Sequence, residues 1–148
     1  MMELRMNHRN VAPEFYQAMA SMDQVSGRTL GTVLKELIKI RVSQINGCAF
    51  CIDMHAKDLL KQGNQENRLL LLSVWHDAPC FTAEERAALQ LTEHLAQITN
   101  QGVPQHIYDH ARMYFEEKQI LDIILVVNMI SGWNRISIGT GMYPGCFD

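Results

Sequence analysis

Apolar residues recur with helical spacing along almost the whole chain, and no segment shows the strict apolar–polar alternation of a half-buried strand. One helical face is traced by seven positions: Leu30, Val33, Leu34, Leu37, Ile38, Arg41 and Ile45. The run from Ile123 to Val127 is apolar on all sides, which is typical of a helix buried from several directions. This pattern predicts an all-α fold.

Capping residues and prolines mark where the helices begin. Thr82 to Glu85 reads as a capping box that opens one helix. Pro13 and Pro104 suit the first positions of two others. A last long helix is predicted over about Lys118 to Ile138. Together these signals predict a single-domain helical bundle of about six to seven helices that spans residues 1–148.

Composition limits the location and the partners of the protein. The formal net charge is −3 and no basic cluster offsets it, which argues against nucleic acid as the main partner. The first ten residues lack the continuous apolar core of a signal peptide, and no run approaches the roughly 20 apolar residues of a membrane span. We therefore expect a cytoplasmic protein without a membrane partner. In a reducing compartment its four cysteines would serve catalysis or metal binding rather than structural disulfides.

Cys48, Cys51 and His55 form the most informative motif of the chain. Three residues along a helix bring two Cα atoms to about 5 Å, within the roughly 4.4–6.8 Å that a disulfide accepts. His55 lies one turn after Cys51 on the same face, where its imidazole can take the thiol proton or stabilise the thiolate. If Asn46 is the N-cap of this helix, both cysteines lie in its first turns, where the helix dipole favours an anion. The motif predicts thiol redox chemistry.

The same spacing also occurs in other kinds of site, one of which the sequence excludes. Attachment of a c-type haem needs histidine directly after the second cysteine, where Ile52 stands. A zinc site would use the two cysteines and His55, with Glu36 or His76 as its fourth ligand. The two cysteines could also be inert core residues. From its neighbours alone, Glu36 would be a solvated side chain paired with Lys39.

The spacing from Glu36 to His55 resembles a known family. Glu36, Cys48, Cys51 and His55 fit the pattern Glu-x11-Cys-x-x-Cys-x3-His, which is similar to the alkylhydroperoxidase D-like branch of the carboxymuconolactone decarboxylase superfamily. Three later segments resemble the same branch: Trp75–Pro79, Thr82–Leu89 and Trp133–Arg135. The resemblance therefore covers most of the chain.

The resemblance implies thiol peroxidase chemistry in an all-helical homo-oligomer without a metal or an organic cofactor. It assigns Cys51 as the peroxidatic cysteine, Cys48 as the resolving cysteine, and Glu36 and His55 as members of a proton relay. The best-characterised members carry a histidine directly before the second cysteine, whereas this chain has Phe50. Decarboxylases of the superfamily lack the cysteine pair, which argues against lactone decarboxylation.

Two functions follow as candidates. The first is a peroxidase that reduces organic hydroperoxides or hydrogen peroxide and is restored by an external dithiol. The alternative is a dithiol–disulfide oxidoreductase or redox sensor that uses the same pair. By analogy with thioredoxin-like sites, Cys48 would be the more exposed sulfur and would lead in exchange with dithiols. Cys80 and Cys146 have no cysteine or histidine neighbour at helical spacing and are expected to be unpaired.

Dense apolar segments predict that the chain self-associates. The last long helix has more apolar surface than one flank of a small bundle would cover, and Leu69 to Leu72 adds a second patch. Closed symmetric homo-oligomers are the usual result. The family resemblance points to trimers or hexamers, and for this short chain we expect the hexamer.

Overall fold

The chain folds entirely into helices and short connections in a computed structural model that describes all 148 residues. In chain order the α-helices are α1 (His8–Val11), α2 (Pro13–Val25), α3 (Thr32–Asn46), α4 (Ala49–Leu60), α5 (Glu66–Leu71), α6 (Ala83–Ala96), α7 (Ile98–Gln101), α8 (Gln105–Arg112) and α9 (Glu117–Thr140). A 3₁₀ helix over Leu72–Asp77 follows α5 directly. The all-α prediction is confirmed. Six of the nine α-helices have eight or more residues, and three shorter ones raise the number above the predicted six to seven.

Helix α3 lies at the centre of the bundle and packs against α4, α6 and α9. On one side Leu37 and Ile40 join a core with Trp75 of the 3₁₀ helix. On the other side Ile38 and Val42 join a larger core built with α6, α8 and α9. Because α3 is covered on both sides, even its polar residues near the middle are removed from water.

Helix α9 supplies the longest continuous part of the core. It is long and apolar enough to cross a membrane, but half of its most apolar window is buried inside the bundle, as in the core helix of a soluble protein. Among its large apolar residues only Leu121 and Ile138 are exposed. The expectation that α9 leaves broad apolar surface uncovered is therefore wrong, because α3, α6 and α8 pack around it.

Two predicted helix starts can be compared with the structure. Thr82 and Glu85 form the expected capping box, with Thr82 Oγ1 accepting from Glu85 N at 3.1 Å. Asn46, in contrast, does not cap the cysteine helix but ends α3. Gly47 follows with a φ of +74°, a left-handed conformation that suits glycine, and turns the chain so sharply that Cys48 itself caps α4.

A buried carboxylate ties α9 to the turn before α3. Asp122 is fully buried and accepts hydrogen bonds from Thr29 N at 3.0 Å, Thr29 Oγ1 at 2.6 Å and Lys118 Nζ at 2.8 Å. Burial raises the pKa of Asp122, but the hydrogen bonds from Lys118 and Thr29 outweigh burial and lower the pKa from 3.8 to about 2. The carboxylate is therefore bound best in its ionised form.

Replacing Asp122 with asparagine is expected to destabilise the fold in a pH-dependent manner. Because the folded state lowers the pKa of this group, the stabilisation is complete above about pH 4 and is lost as the pH falls toward 2. A lowering from 3.8 to about 2 corresponds to about 2 kcal/mol. Urea unfolding of wild type and Asp122→Asn at pH 7 and at pH 3 measures the difference, which should shrink at the lower pH.

Asp53→Asn is the matched control, because Asp53 pairs with Lys57 on an accessible helix surface where ion pairs contribute little. A loss in Asp122→Asn that is the same at both pH values would contradict the assigned role of the ionised carboxylate.

Candidate functional site

The two cysteines of the motif lie at the sharp corner between α3 and α4. Cys48 is the N-cap of α4, and its Sγ accepts from the backbone N of Cys51 at 3.3 Å. The two cysteines form a disulfide, with their Cα atoms 5.4 Å apart, close to the separation predicted from helix geometry. Cys48 and Cys51 are only 1% and 2% exposed, so bulk solvent hardly reaches either sulfur.

A buried amide fixes this corner against α9. Asn134 Oδ1 accepts from Asn46 Nδ2 at 3.0 Å, and Asn134 Nδ2 donates to Ser43 Oγ at 3.0 Å. One turn later Ser137 Oγ lies 3.5 Å from Cys51 Sγ, where its hydroxyl can donate to the sulfur. The sequence interpretation missed Ser137. The available signal was its position three residues after Asn134, since residues three apart share a helix face.

Glu36 and His55 form a second buried pair next to the cysteines. His55 Nδ1 and Glu36 Oε2 are 2.8 Å apart, and the two residues are 6% and 8% exposed. With the carboxylate as acceptor, Nδ1 carries the proton and Nε2 is left as the basic nitrogen. The pairing of Glu36 with Lys39 is wrong, because Lys39 Nζ turns to Asp23 Oδ1 at 3.6 Å.

A cavity of about 290 Å³ leads to this site. Cys51, His55 and Ser137 line it, together with residues of α1, α2, α9 and the C-terminal segment. Cys48 does not line it. The expectation that Cys48 is the more accessible sulfur is therefore wrong: as the N-cap, Cys48 faces the α3–α4 corner, whereas Cys51 faces the cavity.

The zinc alternative finds only part of its ligand set. Glu36, His55 and Asp58 hold possible ligand atoms within 4.8 Å of one another and could bind a cation. His76 cannot be the fourth ligand of the motif, because its Nε2 lies 3.5 Å from Glu93 Oε2 beside a separate, wholly polar cavity. Outside the motif, Cys80 and Cys146 are free thiols, as predicted.

The chain is thus a helical bundle with a buried Cys-x-x-Cys disulfide beside a carboxylate–histidine pair. Residues 13–94 match the carboxymuconolactone decarboxylase family. The chain belongs to this family, and within it to the alkylhydroperoxidase D-like branch. The family prediction is thereby confirmed.

Relatives cover nearly the whole chain. It is 42% identical over 141 residues to the uncharacterized protein YdfG of Bacillus subtilis, covering 95% of this chain and 96% of that protein. A solved structure from Agrobacterium tumefaciens, a protein of unknown function named as a candidate antioxidant defence protein AhpD, superposes with a TM-score of 0.91. It is 33% identical over 96% of this chain and 99% of its own. An uncharacterized peroxidase-related protein from Ralstonia eutropha, described as an alkylhydroperoxidase AhpD core, has a TM-score of 0.83. The match covers 93% of this chain and 74% of that one, and at 18% identity it shows the shared fold alone.

Proposed function

We propose that the protein is a thiol-dependent peroxidase that reduces organic hydroperoxides or hydrogen peroxide, with Cys51 as the peroxidatic and Cys48 as the resolving cysteine. The observation that carries this proposal is the arrangement of the disulfide. Cys51 lines a cavity of small-molecule size, and Cys48, which is bonded to it, does not line the cavity. The similarity to a candidate antioxidant defence protein supports the same conclusion.

In the first step the thiolate of Cys51 attacks the peroxide. The new bond joins Sγ to one peroxide oxygen, the O–O bond breaks, and the leaving alkoxide takes a proton to become an alcohol. Cys51 is left as a sulfenic acid. His55 lines the same cavity, so its Nε2 can take the thiol proton and return it to the alkoxide, while Glu36 holds the ring from Nδ1.

In the second step the thiol of Cys48 attacks the sulfenic sulfur, water leaves, and the disulfide forms. An external dithiol then reduces the disulfide and is itself oxidised. Because only Cys51 faces the cavity, this dithiol attacks Cys51 and expels Cys48 as a thiolate. The leaving thiolate is stabilised at the start of α4, where it accepts the N–H of Cys51. A supply of reduced dithiol favours the cytoplasm as the location.

The alternative function, dithiol–disulfide exchange with protein substrates, is less well supported. Both cysteine residues are at most 2% exposed. A disulfide on the surface of a folded partner could not reach them without opening the cavity wall, whereas a small peroxide can enter the cavity.

Addition of one equivalent of cumene hydroperoxide to the fully reduced protein tests the proposal. The expected result is one equivalent of alcohol, the loss of two thiols and an intact mass lower by two hydrogen atoms. The double variant Cys48→Ser/Cys51→Ser, which keeps Cys80 and Cys146, should lose no thiol. Equal thiol loss in both proteins would refute the assignment.

We also propose that the chain assembles into a homo-oligomer, a hexamer in preference to a trimer. An exposed apolar stripe lies on α2, where Phe15, Ala18, Met22 and Val25 follow one another at spacings of three and four residues. Such a seam is typical of helix–helix contacts. Light scattering at micromolar concentration is expected to show an oligomer that Met22→Glu weakens. A fully active wild-type monomer would contradict this proposal.

A further inference from the structure

One side of the catalytic cavity is aromatic and apolar. Tyr16, Phe50 and Trp133 line it, with Met54 and Met142 beside them. The rings of Tyr16 and Trp133 meet edge to face with centroids 5.9 Å apart. Such a wall favours a hydrocarbon group in the ligand. The volume of about 290 Å³ lies near the lower end of the range for ligand pockets, so the group must be small.

Arg9 adds a positive charge to this apolar wall. Its guanidinium carbon lies 5.1 Å from the ring centre of Tyr16 and 4.5 Å from that of Phe147. The guanidinium forms no ion pair and no side-chain hydrogen bond. Its five N–H donors are therefore free for a ligand, and their planar arrangement matches a carboxylate.

The backbone around Arg9 is held in place. Arg9 N donates to Asn7 Oδ1 at 3.1 Å, which caps α1. Two residues before Asn7, the backbone N of Arg5 donates to Thr140 O at 2.8 Å, and Arg5 Nη1 donates to Gly139 O at 3.2 Å. Arg9 thus starts from a fixed position beside the cavity rather than from a free chain end.

The other charged groups that line the cavity already have partners. Asp23 Oδ1 faces Lys39 Nζ at 3.6 Å, and His55 is bound to Glu36 at 2.8 Å. Among the charged residues that line the cavity, Arg9 is the one without an oppositely charged partner. A ligand with its own negative charge would supply one.

We propose that the cavity selects small apolar hydroperoxides that carry a carboxylate, with Arg9 as the residue that binds the carboxylate. The aromatic wall then contacts the hydrocarbon group, and the hydroperoxide group points toward Cys51. This inference rests on the proposed peroxidase function and names its substrate class.

Three related peroxides test the selectivity: cumene hydroperoxide, its para-carboxylate derivative and the methyl ester of that derivative. For wild type, kcat/KM for the carboxylate should exceed that for the ester about tenfold, the effect of one charge-assisted hydrogen bond. Arg9→Gln should lose the preference by slowing the carboxylate alone, and Arg9→Lys should keep part of it because it keeps the charge without the planar fork. Arg135→Gln, which removes an exposed arginine that does not line the cavity, should behave as wild type.

Binding of an unreactive analogue tests the role of Arg9 independently of peroxide reduction. Calorimetric titration of the oxidised protein with 4-isopropylbenzoate should show binding that Arg9→Gln weakens at least fivefold, and 4-isopropylbenzyl alcohol should bind more weakly to wild type. The inference would be overturned if wild type reduced the carboxylate and the ester at equal rates and if wild type and Arg9→Gln bound 4-isopropylbenzoate equally well. The peroxidase proposal would then remain intact. If no hydroperoxide is reduced, the peroxidase proposal fails, and the titration still decides whether Arg9 binds carboxylates.

Discussion

Replacing Cys51 with serine is expected to abolish peroxide reduction. Cys51 is the motif sulfur that lines the cavity, and no other thiol lies on its walls, so nothing can take its place as the nucleophile. A coupled assay that follows peroxide consumption should fall to the rate of the uncatalysed reaction. Intact mass and thermal unfolding of the reduced proteins serve as controls that the variant is folded.

Replacing Cys48 with serine distinguishes the role of the resolving cysteine from that of the peroxidatic cysteine. The variant is expected to reduce one equivalent of peroxide and then to stop with a sulfenic acid at Cys51, because the resolving thiol is missing. Dimedone, which reacts with sulfenic acids, should label Cys51 in this variant. Labelling of Cys48 in the Cys51→Ser protein, with none in Cys48→Ser, would reverse the two roles.

The second large effect is expected at His55. Removal of a general acid–base group typically costs about a hundredfold to ten-thousandfold in rate, so His55→Gln should lower kcat/KM for peroxide by at least about a hundredfold. Glu36→Gln should lower kcat/KM less, by about tenfold, which is the effect of losing one charge-assisted hydrogen bond. The effect is smaller because Glu36 orients His55 from Nδ1 without facing the peroxide. Stopped-flow measurement of sulfenic acid formation over a range of pH compares the variants.

The pH profile distinguishes proton transfer from mere packing. If His55 moves the proton, the rate of His55→Gln should approach that of wild type at high pH, where the thiol ionises without help. A loss that stays constant at every pH would show that His55 only supports the fold of α4. Lys57→Gln, on an exposed turn of the same helix, is the control for changes in α4 itself.

Local sequence signals were sufficient for the fold class and for the core of the candidate site. The capping box at Thr82, the helical spacing of apolar residues and the distance between Cys48 and Cys51 each depend on a few neighbouring residues. Such local rules also suggested Asn46 as a cap. They failed there because a distant residue, Asn134, binds its side chain, and because one left-handed glycine is enough to separate α3 from α4.

The parts of the site that the sequence did not reveal come from distant positions. Arg9 and Ser137 reach the cavity from opposite ends of the chain, and the spacing of Ser137 from Asn134 was the one signal that could have found either of them. Local sequence signals also could not predict which helix faces are exposed at the surface. The run from Ile123 to Val127 indicated a helix buried from several directions, but it could not show which neighbours cover that helix.

The contact between residues near position 5 and the end of α9 also sets an order of events during synthesis. Arg5 leaves the ribosome well before its partners Gly139 and Thr140, because Gly139 follows it by 134 residues in the chain. The wall that carries Arg9 therefore cannot close until the ribosome has released α9. Until then the cavity around Cys51 lacks the lining that α1 and α9 supply, and it becomes complete only when these two segments meet.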